Sequence, residues 1–315
     1  MTQPEVVVVG NVGIDTNAYL PIDSFDAADA ASALAATRTG AEVTFADVRD
    51  CVGQAGGYSA RGYARLGRSV AFIGHVGDDF SGRHVRAELA ADGVDLRGLG
   101  TDPAGTARSV NLMSRAGMRR NVYDPKGHMQ LTVDPESLRP LFAGARLAHV
   151  HLADWARHVL PVMREEGVVL AVDLQDVVDP DDAYRFDFVQ AADILFASAA
   201  NHPEPEPLIE HYLSGRAELV VVGMGARGCA VGTTDGIRRI PPPDLGAWAD
   251  DHPVVDTNGA GDSLAVGLLV AHVLEGRPLD EPIRRGQIAA RWACSLRSDS
   301  SRLITAAELD ALTDP

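Results

Sequence analysis

The stretch from Val254 to Leu274 constrains the fold more than any other part of the chain, and it reads VVDTNGAGDSLAVGLLVAHVL. Two β-branched residues lead into the polar turn DTNGAGD at residues 256–262, and an apolar run broken only by small residues follows it. This order predicts a strand or extended loop, then a tight turn, then a buried helix.

The turn has the chemistry of an anion-binding site. Gly259 and Gly261 have no Cβ, so the backbone N–H groups of residues 259–262 can lie bare at the start of the helix. These donors, with the positive end of the helix dipole, favour a phosphate or a developing oxyanion. Asp262 lies in the same first turn, where a carboxylate could act only as a partner of the dipole. Because phosphoryl transfer to a hydroxyl needs both an anion site and a group that takes the hydroxyl proton, we assign Asp262 as a general base.

The same stretch resembles the DTxGAGD motif of the PfkB (ribokinase-like) family of sugar and nucleoside kinases. In that family the last Asp is the catalytic base and the Gly-Ala-Gly backbone forms the anion hole. The resemblance therefore implies these roles for Asp262 and for Gly259, Ala260 and Gly261. It also implies ATP as cosubstrate, Mg²⁺ as cofactor, and a nucleotide site that includes Thr257 and Asn258.

The resemblance further implies the fold. We expect one α/β domain over residues 1–315, a ribokinase-like three-layer α/β/α arrangement with a central, mostly parallel sheet and a small β-sheet lid. The lid is expected from about residues 16–52 and 104–124, and a homodimer through the lid is a further expectation. Repeated short apolar strands at residues 146–152, 168–174 and 193–197 independently predict a parallel sheet wrapped by helices, with ligands outside the carboxyl ends of the strands.

Composition excludes several kinds of partner. The net charge of -16 argues against nucleic acid and against an anionic membrane surface, because the mean field repels phosphates. The three cysteines are scattered and fit neither a disulfide framework nor a CxxC metal site, which indicates a reducing cytosol. No signal peptide is recognisable, and no apolar segment reaches the roughly 18 residues of a membrane span. We therefore expect a cytoplasmic protein.

The N-terminal part carries the expected binding site for the phosphate acceptor. Residues 5–9 form an apolar strand that ends in a glycine-containing turn, but no GxGxxG follows, which opposes a dinucleotide fold. In the PfkB family an Asp in this turn binds acceptor hydroxyls, and Asp15 lies at that place. Gly13 stands where ribokinases carry an Asn.

A second glycine cluster precedes the helix predicted at residues 59–66. Glycines there could be only a structural turn, but the following stretch, Ala64 to Leu96, resembles the other PfkB motif over its whole length. The family usually has a second Gly at the position of Gln54 and an Asn at that of Tyr58, where acceptor hydroxyls bind. Tyr58 would suit a ring or base better than a polyol, and the alternative is a drifted site that binds poorly. The expected acceptor-side residues are Asp15, Gly13, Gly53, Gln54, Gly57 and Tyr58.

The lid region is predicted from weaker patterns. A helix at 27–36 and a strand at 43–48 are followed by a hairpin of strands 106–113 and 118–122. Arg115, Arg119 and Arg120 cluster on this hairpin, either as a solvated strand edge or as a site for an anionic acceptor. His149 and His151 have the spacing of two metal ligands on one strand face, but no third zinc ligand is evident. Asp154 and Asp173 each follow a strand and are secondary site candidates.

The last third is the expected nucleotide half. A strand at 219–222 runs into a GxGxxG pattern, but the residues after it are strand-like, so the helix that a Rossmann site needs is missing. PfkB kinases have a similar hairpin whose glycine-rich turn touches ATP. The resemblance assigns to the nucleotide Gly223, Gly225, Gly228, Asn201 and Gln287, the last on a helix predicted at 282–296. Glu204 would organise magnesium through water, although counting from the strand favours Ser198 and Asn201 for that motif.

The predicted function is ATP-dependent phosphorylation of a primary hydroxyl on a sugar or nucleoside. A catalytically silent ribokinase-like protein that senses a small molecule or nucleotide is the alternative, since several acceptor-side and nucleotide-side positions depart from the family. Monovalent-cation binding is left undecided, because the Gly that the family associates with it is absent from residues 295–299.

Overall fold

The structure is a computed structural model that describes residues 3–23, 25, 45–115, 117–298 and 303–313. The strands are β1 (Val6–Val9), β2 (Gly13–Tyr19), β3 (Asp47–Gly53), β4 (Val70–Val76), β5 (Asp95–Thr101), β6 (Arg108–Met113), β7 (Arg119–Asp124), β8 (Leu147–His151), β9 (Val169–Asp176), β10 (Ile194–Ser198), β11 (Leu219–Gly223), β12 (Cys229–Thr233) and β13 (Gly236–Ile240). The helices are α1 (Gln54–Arg65), α2 (Phe80–Ala91), α3 (Pro135–Phe142), α4 (Leu160–Glu165), α5 (Phe186–Ala191), α6 (Glu206–Leu213), α7 (Gly246–Asp251), α8 (Ala260–Leu269), α9 (Asp280–Cys294) and α10 (Ala306–Thr313). Among the described helices, none is long and apolar enough to cross a bilayer.

Nine strands form the large sheet in the order β13-β12-β11-β10-β9-β8-β1-β4-β5. Neighbouring strands from β5 to β11 are parallel, and β12 and β13 add an antiparallel edge. The central strand β1 reads VVVV and is buried along its whole length. Such a run is expected where helices cover both faces of a parallel sheet.

Alternate residues of β1 face two separate hydrophobic cores. Val6 and Val8 pack in one core with α1, α2, α8, α9 and α10, whereas Val7 and Val9 pack in the other with α3 to α6. Successive side chains of a strand point to opposite faces, so the two cores lie on the two sides of the sheet. The predicted three-layer α/β/α fold with a mostly parallel sheet is confirmed.

A second sheet of four strands, in the order β3-β2-β6-β7, arises just beyond the carboxyl end of β1. Strand β2 begins three residues after β1 ends, pairs antiparallel with β3 and pairs parallel with β6. Strands β6 and β7 form the hairpin predicted from the sequence. Every residue of β7 is exposed, so this strand is an uncovered side of the small sheet.

Some local predictions differ from the structure. Helix α1 begins at Gln54, five residues before the predicted start, because its glycines pack closely: a Cβ on Gly56 would lie 2.6 Å from the Asn11 carbonyl oxygen. Residues 13–15, expected as a turn, belong to β2, since pairing on both edges overrides weak strand propensity.

Two further predictions concern the segment before β3. The described strand there spans Asp47–Gly53 rather than residues 43–48. The predicted helix at residues 27–36 lies outside the described part of the chain. Within the GxGxxG pattern at residues 223–228 the chain makes a single 3₁₀ turn, Gly225–Arg227, and directly after the pattern it returns as β12, antiparallel to β11. The predicted absence of a Rossmann helix at this place is therefore confirmed.

Helices α8 and α9 meet at two glycines. A Cβ on Gly267 would lie 2.9 Å from the Gly286 Cα, and a Cβ on Gly286 would lie 2.5 Å from the Leu264 carbonyl oxygen. These distances leave no room for a methyl group, so the two backbones are in direct contact. This contact holds α8, and with it the turn at its N-terminus, at a fixed depth against the sheet.

We expect Gly286→Ala to lower the free energy of unfolding by about 1–3 kcal/mol, because the new methyl group forces the helices apart. Chemical denaturation followed by circular dichroism measures this change. Gly215→Ala is the matched control, since the nearest atom to its added Cβ is the Tyr212 carbonyl oxygen at 3.4 Å. If the free energy of unfolding of Gly286→Ala equals that of the wild-type protein, the two helices can move apart without loss of stability, and the close contact is not required.

Candidate active site

The N-terminus of α8 faces the space between the two sheets, and its geometry depends on Gly259. This residue caps the helix with φ +75°, a left-handed conformation that glycine adopts without strain. A Cβ at this position would also lie 3.3 Å from ring carbons of Tyr58. In the first turn, Ala260 N donates to the Thr257 carbonyl at 3.3 Å and the Asp262 N–H faces its own carboxylate, while the Gly261 N–H has no acceptor within the described residues. The turn can therefore present backbone donors to an anion.

Asp262, in the first turn of α8, lies beside two polar side chains from the large sheet. His151 ends β8 and Asp173 lies near the end of β9, so adjacent parallel strands place both at the same edge. The His151 Nδ1 atom is 3.9 Å from Asp173 Oδ2 and 4.0 Å from Asp262 Oδ1. Ligand atoms of the three residues all lie within 4.8 Å of one another.

Burial and mutual repulsion shape the electrostatics of this group. Burial, followed by the charge of Asp173, raises the pKa of Asp262 well above its ordinary value, while Arg119 opposes the shift. Burial, followed by the charge of Asp176, raises the pKa of Asp173 to about 6. His151 is 1% exposed, and burial lowers its pKa, so its imidazole is neutral at pH 7. Two close carboxylates thus share a site with no fixed positive charge between them.

Asp15 lies on the small-sheet side of the same space and is 2% exposed. Its Oδ2 accepts hydrogen bonds from the Tyr58 hydroxyl at 2.9 Å, from Asn258 Nδ2 at 3.0 Å and from the Gln54 backbone N–H at 3.3 Å. Its Oδ1 is buried and has no partner among the described residues. A hydroxyl group of a bound molecule could supply the missing donor.

Asn258 connects Asp15 to the phosphate-binding turn and to the small sheet. Its amide nitrogen also donates to the Tyr58 hydroxyl at 2.9 Å, and its Oδ1 accepts from the Arg119 guanidinium on β7. The sequence assigned Asn258 to the nucleotide, whereas its side chain lies with the acceptor-side residues. Thr257 likewise turns to the small sheet, where its Oγ1 donates to the Gly117 carbonyl at 2.9 Å.

The acceptor-side glycines serve close packing. A Cβ would lie 2.1 Å from the Ala107 carbonyl at Gly13, 2.4 Å from Asp15 Oδ2 at Gly53 and 2.9 Å from a Val12 methyl at Gly57. These glycines let α1 and the small sheet approach Asp15. The Gln54 side-chain amide, by contrast, is buried with both polar atoms unpartnered among the described residues.

The glycines assigned to the nucleotide lie at the β11–β12 hairpin. Gly223 ends β11 near α8, where an added Cβ would lie 3.8 Å from Leu264 Cδ2. Gly225 and Gly228 have φ values of +60° and +88°, and the Met224 N–H donates to the Gly228 carbonyl at 2.8 Å, which closes the turn. The hairpin and the N-terminal half of α8 are thus neighbours.

The other residues assigned to nucleotide and metal have protein partners. Gln287 donates to the Ile240 carbonyl at 3.1 Å and braces the β12–β13 edge. Asn201 donates to the Val177 carbonyl at 3.1 Å. Glu204 forms an exposed ion pair with Arg239. Glu204 does not belong to the cluster of possible metal ligands found within the described residues.

The two histidines of β8 have different surroundings. His149 Nδ1 lies 3.2 Å from the Tyr63 hydroxyl in the core, and burial lowers its pKa to about 3. His151 Nε2 lies 2.9 Å from Ser59 Oγ, while its Nδ1 has no hydrogen-bond partner within the described chain. The possible metal ligands therefore combine His151 with two carboxylates instead of pairing the two histidines.

Sequence reasoning gave no site role to Asn11 or Tyr123, and it considered His151 only as a possible zinc ligand together with His149. The Asn11 amide donates to the Tyr123 hydroxyl at 3.3 Å, which joins the end of β1 to the exposed strand β7. One sequence feature could have predicted His151 as a site residue, namely its position at the carboxyl end of a parallel strand. A second feature lay in strand β7: an even number of positions separates Arg119 from Tyr123, so both side chains lie on one face of the strand.

Comparisons with known proteins identify the class to which this fold and site belong. The model of the pfkB family carbohydrate kinases matches residues 33–306. The chain is 32% identical over 312 residues to the acarbose 7(IV)-phosphotransferase of Actinoplanes sp. (strain ATCC 31044 / CBS 674.73 / SE50/110), with 97% of each protein covered. It is 26% identical to the 2-dehydro-3-deoxygluconokinase of Bacillus subtilis (strain 168), over 79% of this chain and 82% of that one.

Solved structures agree with this result. A microbiome-derived acarbose kinase, Mak1, superposes with a TM-score of 0.84 at 29% identity, and both chains are covered completely. The ribokinase of Thermotoga maritima shares the fold, with a TM-score of 0.75 at 18% identity over 99% of this chain and 100% of that one. The chain belongs to the pfkB family of carbohydrate kinases. It has the ribokinase-like α/β fold, as predicted.

Proposed function

We propose that the protein transfers the γ-phosphoryl group of ATP to a hydroxyl group of a sugar, with Asp262 as the general base. The observation that carries this proposal is the placement of Asp262 at the N-terminus of α8, close enough to Asp15 to feel its charge, while Asp15 Oδ1 is buried without a partner among the described residues. One carboxylate can orient the acceptor there while the other removes its proton.

Asp262 supports the proton-transfer step through its environment. In the reaction the acceptor oxygen attacks the γ-phosphorus, the hydroxyl proton passes to Asp262, and the bond to ADP breaks. Burial and the nearby charge of Asp173 raise the pKa of Asp262, which makes its carboxylate a stronger base than an exposed aspartate. Repulsion from Asp173 thus favours uptake of the proton.

The backbone at the start of α8 is assigned to the transferring phosphoryl group. The N–H groups of Gly259, Ala260 and Gly261 and the helix dipole provide fixed positive potential without a charged side chain. Such an arrangement compensates for a strongly acidic protein, whose mean field repels phosphates. ATP then lies between this turn and the hairpin glycines Gly223, Gly225 and Gly228, of which Gly223 neighbours α8.

Magnesium is the cofactor that this chemistry needs, and Asp173 fits it better than Glu204 does. Mg²⁺ prefers carboxylate oxygens and keeps several of its waters. Asp173 lies beside Asp262 at the edge of the large sheet, and His151 Nδ1 beside it has no partner among the described residues. Glu204 is instead paired with Arg239 at the surface. When bound, Mg²⁺ would neutralise charge on the ATP phosphates.

The acceptor is assigned to the carbohydrates. Relatives over nearly the full length are named as kinases of acarbose, and others as kinases of monosaccharide derivatives. The acceptor side offers Asp15 and the Gln54 amide, which suit hydroxyl groups, while the Tyr58 hydroxyl is already engaged by Asp15 and Asn258. Acarbose and common monosaccharides therefore head the acceptors to be tested, and nucleosides follow.

The four-stranded sheet is assigned as a lid over the acceptor. Arg119, Thr257 and Asn258 already connect it to the phosphate-binding turn. The residues of strand β7 are exposed, and within the described part of the chain its outer edge pairs with no other strand, so that edge could join the edge of a second copy in a homodimer through the lid. A cytoplasmic location, where ATP is available, completes the proposal.

We expect Asp262→Asn to lower kcat by about a hundredfold or more, because the acceptor hydroxyl loses its base, while binding of ATP and acceptor changes little. A coupled assay of ADP formation, run with Mg²⁺-ATP against the acceptor panel, measures kcat, and calorimetry measures binding. Asp280→Asn is the matched control, since Asp280 also lies in the first turn of a helix, α9, and pairs with Arg238 at the surface.

Two results would change the assignment. Full turnover in Asp262→Asn would remove this residue from the mechanism. If the wild-type protein turns over no acceptor, yet ATP or a sugar raises its melting temperature, the catalytically silent sensor becomes the better description.

We expect Asp173→Asn to move the acid side of the kcat/KM profile to lower pH. The raised pKa of Asp262 means that the base is lost as pH falls through a value above the ordinary carboxyl range. Removing the charge of Asp173 lowers that pKa, so activity persists to more acidic pH. Initial rates between pH 5 and 9 measure the profile, with Asp280→Asn as control, because Asp280 pairs with Arg238 at the surface. A profile that stays in place, or moves to higher pH, would contradict repulsion by Asp173.

A further inference from the structure

The imidazole of His151 has one nitrogen without a partner in the interior of the protein. The residue is 1% exposed, and its Nδ1 atom is buried with no hydrogen-bond partner among the described residues. Asp173 Oδ2 at 3.9 Å and Asp262 Oδ1 at 4.0 Å are both too far away for an N–H···O hydrogen bond, which spans about 2.7–3.2 Å. Because buried polar atoms normally have a partner, we expect a ligand for this nitrogen.

Ser59 holds the ring through its other nitrogen. His151 Nε2 lies 2.9 Å from Ser59 Oγ, and Ser59 is itself fully buried in α1. Donation of the Nε2 hydrogen to this hydroxyl leaves a lone pair on Nδ1, the nitrogen beside the two carboxylates. Histidines that bind metals almost always have such a hydrogen bond at their second nitrogen, because it sets both the tautomer and the orientation of the ring. His151 is therefore arranged as a nitrogen ligand.

Asp173 and Asp262 offer oxygen atoms at the same place. One ligand atom from each carboxylate and one from His151 all lie within 4.8 Å of one another. Zn²⁺ binds nitrogen and oxygen atoms at about 2.0–2.2 Å in a tetrahedron, which places these atoms about 3.4 Å apart, so each side chain would need to move by less than about 1 Å. Asp173 Oδ1 accepts from the Gln175 backbone N–H at 2.8 Å, which orients that carboxylate.

The charge and the kind of ligand favour a transition-metal ion over Mg²⁺. Two carboxylates meet at this place, and the charge of Arg119 offsets only part of the effects that raise the pKa of Asp262, namely burial and then the charge of Asp173. A bound divalent cation would remove the repulsion between the carboxylates. Zn²⁺, Co²⁺ and Ni²⁺ bind imidazole nitrogen well, whereas Mg²⁺ prefers oxygen ligands and keeps several of its waters.

We propose that His151, Asp173 and Asp262 together bind a transition-metal ion such as Zn²⁺ without any nucleotide, and that this ion inhibits the enzyme. A carboxylate oxygen bound to the ion cannot accept the proton of the acceptor hydroxyl, so the base is blocked. Removal of the ion restores the free carboxylate, which makes the inhibition reversible. The inhibition rests on the proposed kinase activity, whereas the binding of the metal does not.

The first test measures metal binding in the absence of nucleotide. The full chain is stripped of metal with EDTA, exchanged into buffer free of chelator, and titrated with ZnCl₂ or MgCl₂ in a calorimeter. We expect one high-affinity Zn²⁺ site per chain, with a Kd at least about tenfold lower than that for Mg²⁺. A Zn²⁺ affinity no higher than the Mg²⁺ affinity, or no binding of Zn²⁺, would overturn the proposal.

The second test locates the ion. His151→Gln is expected to raise the Kd for Zn²⁺ by about tenfold or more, since loss of even an outer hydrogen-bond partner of a ligand costs about that much. His211→Gln is the matched control, because His211 lies 3.6 Å from Asp181 at the surface and should leave the Kd unchanged. Equal Kd values for His151→Gln and the wild-type protein would place the ion elsewhere. If His151→Gln does not fold, Asp173→Asn replaces it with the same expectation.

The third test measures inhibition. ADP formation is followed at free Zn²⁺ concentrations set with nitrilotriacetate, and each protein is compared with its own rate without Zn²⁺. We expect kcat of the wild-type protein to fall at free Zn²⁺ near the measured Kd and to recover when EDTA is added. In His151→Gln the inhibitory concentration should rise by the same factor as the Kd.

Two outcomes separate the site from the activity. Full turnover with one Zn²⁺ bound per chain would show that the ion leaves Asp262 free, and it would overturn the proposed inhibition. If no acceptor is turned over even without Zn²⁺, the proposed function fails, and the calorimetry of the wild-type protein and His151→Gln still decides whether the metal site exists.

Discussion

The desolvated carboxylate of Asp256 is the constraint on which the arrangement of this site depends. A charge without solvent must be met by donors in fixed positions, and here they come from the small sheet, from the end of α9 and from the turn before α8. The backbone of Asn258 is one of these donors, and its side chain reaches Asp15 and Tyr58. Small sheet, acceptor side and phosphate-binding turn are therefore one hydrogen-bonded unit.

The cluster of Asp262, Asp173 and His151 is built on the opposite electrostatic principle. Asp256 accepts hydrogen bonds at both of its oxygens, whereas Asp262 and Asp173 repel each other beside a neutral imidazole, and Arg119 offsets only part of that repulsion. The first arrangement fixes geometry, and the second raises the proton affinity that a base needs. Two aspartates only six positions apart in sequence thus receive different properties from their surroundings. The difference lies in hydrogen-bond partners, which the motif itself does not reveal.

Much of the fold could be predicted from the sequence because it rests on short-range patterns. Apolar runs gave the strands of the large sheet, and the strand-like residues after Gly228 correctly ruled out a Rossmann helix. Helix α1 was placed too late, since its glycines are explained only by the neighbouring chain that they admit. Strand β2 was missed because pairing on both edges, and not local propensity, determines its conformation.

The sequence by itself determined the family, the α/β fold, the anion-binding turn and the candidates Asp262 and Asp15, because each lies in a contiguous motif whose local chemistry is legible. Only the tertiary structure decided which groups meet. Asn258 touches Asp15 across 243 positions and Tyr19 touches Asp256 across 237. In the folded chain Gln287 and Glu204 also contact protein partners, and His151 lies beside Asp262. The physical reason is that burial, repulsion and donor geometry depend on distance in space, which no spacing along the chain encodes.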